Sequence, residues 1–435
     1  MKILFVNPYY PPWAPGGAEH SLEQMCMRLS ERGWIVEVLA TVFDERVLDE
    51  RRHNYWIRWV RAPFHIRPGQ DINAEDYFRT THFRNSMLKR FHELDLPDVI
   101  IANNAQAYGV VGILGRQLRV PTIGLVRDTQ MLCEYGECMD NHSARFAIPC
   151  DGFLGASFCS IKFQRVRGVI GWRPLPAWFW SGLRMHMRRK KLRSIVRQFD
   201  HIVTISDALN MLVRNTLPQL TPENISTIRN FSTQVKPTDK QEVMQFLNVH
   251  GLIAKKYFLF AGRKTYGKGA DLLVEATAMV RNTHPECQTL LLGRGTASKT
   301  AGSGCIDVDS VSQSLLLGLL GQAAGLVIPG RWQEGLHRTM IDAIFAGVPV
   351  ICSEAGAPPI DGVVNGLTGD VVPCGNSEAL ASAMIRILGW TSVQRENCKK
   401  ESRRQFEKKF ETKLLLLKWN EVLSAVVEKR RAKEE

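Results

Sequence analysis

The sequence predicts an α/β chain of two domains, and three observations carry that prediction. The chain has 435 residues, too many for a single hydrophobic core. Short apolar runs recur, several of them stopped by Gly, Pro or Asn and followed by a stretch with apolar residues at helical spacing. This alternation restarts near residue 257 after a polar segment at 231–240 that contains Pro237, Thr238 and Asp239. Strand–helix alternation of that kind builds parallel sheets with helices on their faces.

The first strand is 2–6, Lys-Ile-Leu-Phe-Val, and a rigid Pro-rich loop fills 7–17. A helix is expected over 18–32, with Leu22, Met25, Cys26 and Leu29 on one face and Gly33 as its stop; strand two follows at 34–41. Gly16 and Gly17 precede that helix, where bare backbone can approach an anion at the positive helix end. Residues 44–93 read as variable and polar, with no element assigned. Further strands are expected at 98–102 and 120–126, the latter ending in Arg127-Asp128, and at 200–206.

In the second half, 257–262 is a strand and 263–269, Arg-Lys-Thr-Tyr-Gly-Lys-Gly, is the loop after it; 270–280 is an amphipathic helix. Arg263 and Lys268 flank this Gly-containing turn at a helix start. That is the clamp a diphosphate needs; Lys264 is expected to be exposed beside it. Strand 288–292 leads to Gly293-Arg294-Gly295. Asp307 and Asp309 have the Asp-x-Asp spacing of a metal site, but the adjoining clamp is already cationic, so no metal is expected.

Residues 326–351 are the most informative stretch. Leu326, Val327 and Ile328 form a strand stopped by Pro329-Gly330. A helix is expected from about 336 to 345, with Leu336, Met340, Ile341, Ile344 and Phe345 at helical spacing, and Gly347 stops it. Glu334 sits in the strand-to-helix turn at the carboxyl edge of the sheet, where open α/β sheets bind ligands. Asp342 lies eight positions on, roughly 12 Å if helical throughout.

This pattern resembles the Glu-x7-Glu motif of retaining glycosyltransferase family 4, whose members have the GT-B fold: two Rossmann-like domains facing a cleft, with the last helix crossing back to the first domain. Asp342 stands where the family has its second Glu, and Gly330 where it has Ser. The resemblance extends to Gly16-Gly17, to the Gly-Arg…Lys-Gly element at 262–269, and to Asp128, although Arg127 replaces the family's His. It implies domains at 1–230 and 241–409, a linker at 231–240 and a crossing helix with tail at 410–435. It implies a nucleotide-diphosphate sugar as donor substrate and no cofactor. Its site residues map to Glu334, Arg263, Lys268 and Asp128 for catalysis, and to Gly16, Gly17, Arg263, Lys268, Glu334, Gly335, Leu336 and Asp342 for donor binding. Asp361 takes the place of a further family Glu. The implied activity is metal-independent hexosyl transfer to a glycan or lipid-linked acceptor, in bacterial surface polysaccharide or lipopolysaccharide assembly. An inactive GT-B scaffold and a basic nucleic-acid-binding protein are the alternatives; no nucleic-acid module is recognisable.

Composition adds three expectations. The net charge of +13 calls for an anionic partner. Segment 172–197 combines Trp172, Trp178, Phe179 and Trp180 with Arg188, Arg189, Lys190 and Lys191, and no Asp or Glu occurs from Gly152 to Phe199. This is the signature of a helix resting on anionic lipid. Absence of a signal peptide or spanning segment places the chain in the cytoplasm, with peripheral contact at the inner membrane face. Cys133, Cys138, Cys150 and Cys159 lack the spacing of a paired Cys-x2-Cys site.

Overall fold

The structure is a computed structural model that describes residues 1–13, 16–46, 48–66, 78, 80–131, 153–155, 157, 175–232, 236–295, 300–331 and 335–432. The chain divides into two compact units. One draws on Met1–Gly136, His186–Phe231 and Thr412–Glu435, the other on Glu137–Met185 and Ser232–Glu411.

The first unit holds an eight-stranded sheet. In chain order its strands are β1 (Lys2–Val6), β2 (Ile35–Val42), β3 (Asp49–Arg52), β4 (Tyr55–Arg61), β5 (Val99–Ala102), β6 (Thr122–Val126), β7 (His201–Thr204) and β8 (Ile225–Thr227). They lie in the order β3-β4-β2-β1-β5-β6-β7-β8. All pairings are parallel except β3 with β4. The chain winds outward from β1 through β2 and β4, then returns to lay β5 on the other side of β1. The carboxyl ends of β1 and β5 are therefore a topological switch point, the usual ligand position in such sheets.

Helix α1 (Gly17–Glu31) connects β1 and β2 and buries the expected Leu22, Met25, Cys26 and Leu29. It starts one residue earlier than its apolar pattern suggested, because Gly16 in extended conformation serves as the cap. The loop before it is pinned. Tyr10 and Trp13 are fully buried; the Tyr10 hydroxyl donates to Tyr55 Oη at 3.0 Å, and Trp13 Nε1 donates to the Ile66 carbonyl at 2.8 Å.

Segment 44–93, read from the sequence as variable and polar, holds regular structure. It supplies β3, β4 and the helix α2 (Thr81–Phe91). β4 escaped notice because Arg58 and Arg61 interrupt its apolar residues. Its Arg58 is neutralised across the sheet by the buried Glu37 at 2.5 Å. Helix α3 (Ala105–Leu118) packs between β5 and β6, and α4 (Leu175–Val196) brings the basic segment back to this unit. Within α4, Arg189 is buried, while Trp180 and Met187 are exposed.

After α5 (Asp207–Thr216) and α6 (Lys240–Val249), the second unit repeats the plan. Its strands are β9 (Tyr257–Ala261), β10 (Gln288–Leu292), β11 (Cys305–Val308), β12 (Gly325–Ile328), β13 (Val350–Ser353) and β14 (Gly369–Val372). The order β11-β10-β9-β12-β13-β14 is parallel throughout. The switch point is β9/β12. Helix α7 (Ala270–Arg281) follows the cationic loop, α8 (Gln313–Gln322) precedes β12 and α9 (Arg338–Ala346) follows it.

Helix α9 is shorter than predicted. Its cap is His337, so 335–337 are turn rather than helix and only the last part of the Glu334–Asp342 spacing is helical. Met340, Ile341 and Ile344 are buried as expected, but Phe345 is 68% exposed, its ring 5.0 Å from that of Phe406 and tilted 57° to it. Helices α10 (Ser377–Leu388) and α11 (Ser392–Lys409) complete this unit. The last helix, α12 (Thr412–Arg431), returns to the first. Leu415, Trp419 and Leu423 are buried there, and Arg430 donates to the Arg119 carbonyl at 2.9 Å.

Candidate functional site

The site at β9/β12 is built from two loops joined by one arginine. Arg331, just past Pro329-Gly330, forms a two-pronged ion pair with Asp271, Nη1 to Oδ1 and Nη2 to Oδ2 each at 2.6 Å. Its guanidinium also donates to the Tyr266 carbonyl at 2.6 Å and lies 4.0 Å from the centre of the Tyr266 ring. Its backbone N–H donates to the Gly267 carbonyl at 2.9 Å. Gly269 permits this contact. Its φ is +71°, and a Cβ there would stand 2.0 Å from the Pro329 carbonyl oxygen. A left-handed backbone and this close approach both demand glycine.

The joined loops place Lys268 in a small crevice with His337 and Thr339, at the carboxyl ends of β9 and β12 and the start of α9. Arg263 is exposed, and its carbonyl accepts from the Thr265 N–H at 2.9 Å. Lys264 contradicts the expectation that it is exposed. It is buried, its ammonium pairs with Asp307 and donates to the Val308 carbonyl at 2.9 Å. Lys264 thus anchors the loop from below, and Asp307 is spent on that anchor. The neighbouring turn supports it: Lys264 N–H donates to the Arg294 carbonyl at 2.9 Å. Among the described residues no cluster of His, Cys, Asp and Glu could hold a metal.

Gly335 and the buried Leu336 lie in the turn before α9. Asp342, on the second turn of α9, is buried; its Oδ2 accepts from Gln313 Nε2 at 3.2 Å, and Gln313 in turn accepts from Arg338 at 3.4 Å. Asp361 is fully buried in the turn Pro358–Gly362. Glu334 lies outside the described residues, as do the four cysteines at 133, 138, 150 and 159.

A second polar cluster occupies the carboxyl edge of the first unit's sheet. Arg127, at the end of β6, is buried, with Nε donating to Asn103 Oδ1 at 2.8 Å and Nη1 to Asn230 Oδ1 at 2.9 Å. Arginine only donates, so these bonds fix both amides with oxygen toward Arg127. Asn103 Nδ2 and Arg127 Nη2 remain buried donors with no acceptor among the described residues. Burial lowers the Arg127 pKa to about 10, against the opposing pull of the Glu19 carboxylate. Glu19 itself is buried in the first turn of α1, and burial raises its carboxyl to about 6. Asp128 is half-buried and accepts from the Gln130 N–H at 2.8 Å, closing the turn Thr129–Met131. Gly16 and Gly17 are exposed at the start of α1.

The sequence reading missed Glu19, Asn103 and Arg331 as site residues. Asn103, at the end of β5 beside the switch point, is the one whose position could have flagged it.

Two doubly wound parallel sheets, with a cationic loop after the first strand of the second, define a GT-B architecture. Sucrose-phosphate synthase from Thermosynechococcus elongatus shares it, with a TM-score of 0.70 at 18% identity over 98% of this chain and 99% of that one. So does Anabaena HepE, solved with UDP and glucose, with a TM-score of 0.66 at 16% identity over 98% and 100%. The glycosyl transferase 4-like domain model matches residues 16–230 and the glycosyl transferases group 1 model residues 255–389. The chain belongs to this glycosyltransferase family. It is 25% identical over 236 residues to spore coat protein SA of Bacillus subtilis (strain 168), spanning 48% of this chain and 60% of that relative. It is 22% identical over 330 residues to alpha-D-kanosaminyltransferase of Streptomyces kanamyceticus, spanning 69% and 80%.

Proposed function

We propose that this chain is a retaining, metal-independent hexosyltransferase that moves a sugar from a nucleotide-diphosphate donor to a glycan or lipid-linked acceptor. The observation that carries the reading is the Arg331 tie, which presents Lys268 beside the start of α9 at the β9/β12 switch point. Arg263 and Lys268 take up the charge that develops on the leaving diphosphate. Glu334 positions the sugar hydroxyls, the backbone of Gly335 and Leu336 lies against the phosphates, and Asp342 holds the ribose with Gln313 keeping it in place. The bond from the anomeric carbon to the diphosphate breaks, and the acceptor oxygen bonds to that carbon on the same face. Its proton passes to the departing phosphate. Gly16, Gly17 and Asp128 serve the acceptor side. HepE is solved in complex with UDP and with UDP-glucose, which favours a uridine donor here.

The setting we infer is surface-polysaccharide assembly from the cytoplasmic face, with peripheral contact to anionic membrane through α4 and no part for nucleic acid. Among the described residues no helix is long and apolar enough to cross a membrane.

A thermal-shift panel of UDP-, GDP- and ADP-sugars tests donor binding. A donor at 100 times its Kd adds about 2.7 kcal/mol of stability; no shift with any of them sinks the donor assignment. Arg263→Ala and Lys268→Ala are each expected to cut kcat by about 10²-fold or more, and near-normal turnover in both would refute the clamp.

A further inference from the structure

Arg127 is a buried cation without a counter-ion of its own. It is 6% exposed. Its side chain bonds to the neutral amides of Asn103 and Asn230, and it has no ion-pair partner among the described residues. Comparable buried cations of this chain are paired: Arg229 with Asp207, and Lys264 with Asp307. Pairing is the rule because taking a charge out of water is costly. Burial lowers the Arg127 pKa despite the nearby Glu19 carboxylate, as expected of a guanidinium whose charge is under-compensated.

The unused donors are also adjacent. In a guanidinium Nε and Nη2 share one edge of the fork. Here Nε donates to Asn103 Oδ1 at 2.8 Å, so Nη2 points to the same side as the Asn103 amide. Both Nη2 and Asn103 Nδ2 are buried and lack an acceptor among the described residues. They stand just past β5 and β6, at the carboxyl edge of the first sheet, where such sheets take ligands. Gln106, three residues on at the start of α3, has a buried Oε1 with no donor among the described residues.

We propose that Arg127 and Asn103 bind the carboxylate of an acidic sugar, one oxygen accepting from Arg127 Nη2 and the other from Asn103 Nδ2. Resting on the transferase reading, this makes one of the two sugar substrates a uronic acid. Two donors match the two oxygens of a carboxylate. A single cation with Glu19 close by suits a monoanion better than a phosphate, which carries more charge and a third oxygen. Gln106 Oε1 is an acceptor for a ring hydroxyl, which a sugar brings and a simple carboxylate lacks.

The test is calorimetric titration of the full chain with UDP, UDP-glucose and UDP-glucuronic acid, and then, with UDP present, with methyl glucoside, methyl glucuronide and glucose 6-phosphate. In one of the two sugar pairs the uronate should bind at least about tenfold more tightly than its neutral counterpart. A gap in the first pair makes the acid the donor sugar, and a gap in the second makes it the acceptor. Asn103→Asp keeps the acceptor for Nε and brings a second oxygen to Nη2, so the chain then supplies the carboxylate itself. In that variant the preference should fall to about one with no loss of melting temperature. Arg127→Met, which keeps the length and removes the charge, should also erase it; if that variant fails to fold, Asn103→Asp decides. Uronates no tighter than neutral sugars in both pairs, a preference that survives Asn103→Asp, or glucose 6-phosphate binding more tightly than the glucuronide overturns the proposal. UDP reads the second unit separately. A chain that binds no UDP loses the transferase reading, whereas one that binds UDP without preferring a uronate loses only the acidic sugar.

Discussion

Glu19 shows how one carboxyl can record the state of a site. Burial holds it at about 6, against an ordinary 4.5. Between those values the folded chain binds the proton more tightly than the unfolded chain, so this group's contribution to stability falls as pH rises through that window. Glu19→Gln removes the slope. In urea titrations at pH 4.5 and pH 7, the wild type should lose about 1–2 kcal/mol relative to the variant on going to the higher pH; parallel behaviour would show that the carboxylate is solvated. The loop that carries Arg263 and Lys268 was legible in the sequence because its turn residues are consecutive and follow directly on β9. Arg331, Arg127 and Lys264 were not, because their partners Asp271, Asn230 and Asp307 lie 60, 103 and 43 positions away. Asp307 illustrates the trap: its spacing to Asp309 resembles a metal pair, and its actual partner is a lysine that looked exposed.

At the level of elements, the parallel strands could be read from apolar runs because their residues are buried on both faces. β4 could not, since its Arg58 is made tolerable only by Glu37 on the neighbouring strand. The beginning of α9 was misjudged for a related reason. Leu336 is buried and keeps the helical spacing, yet it belongs to the turn, and apolar periodicity does not distinguish a buried turn residue from a helical one. Tight joints between elements are equally invisible until the backbone is known. The Gly269 joint makes a strong prediction. Gly269→Ala places a methyl against the Pro329 carbonyl and strains a left-handed residue, so one of the two loops must move. It should destabilise the chain by at least about 1 kcal/mol and weaken nucleotide-sugar binding by tenfold or more in titration. Unchanged affinity would show that the loops are not held together through this contact.

On the scale of the whole molecule, each unit owns one sheet and one polar cluster at that sheet's switch point, and α12 belongs to the unit built from the beginning of the chain. Trp419 is 1% exposed in that unit, so Trp419→Ala should cost about 3–5 kcal/mol. Denaturation followed by a probe in the first unit should show the loss, and an unshifted midpoint would mean that α12 adds little to that core. The placement of this helix also sets an order of events during synthesis. A ribosome adding about 5–20 residues per second finishes every strand of the first sheet by Thr227, yet that core still lacks Leu415, Trp419 and Leu423. By the time they emerge, the whole of the second sheet has been made. The half of the protein that is translated first is therefore the half that must wait longest to be complete.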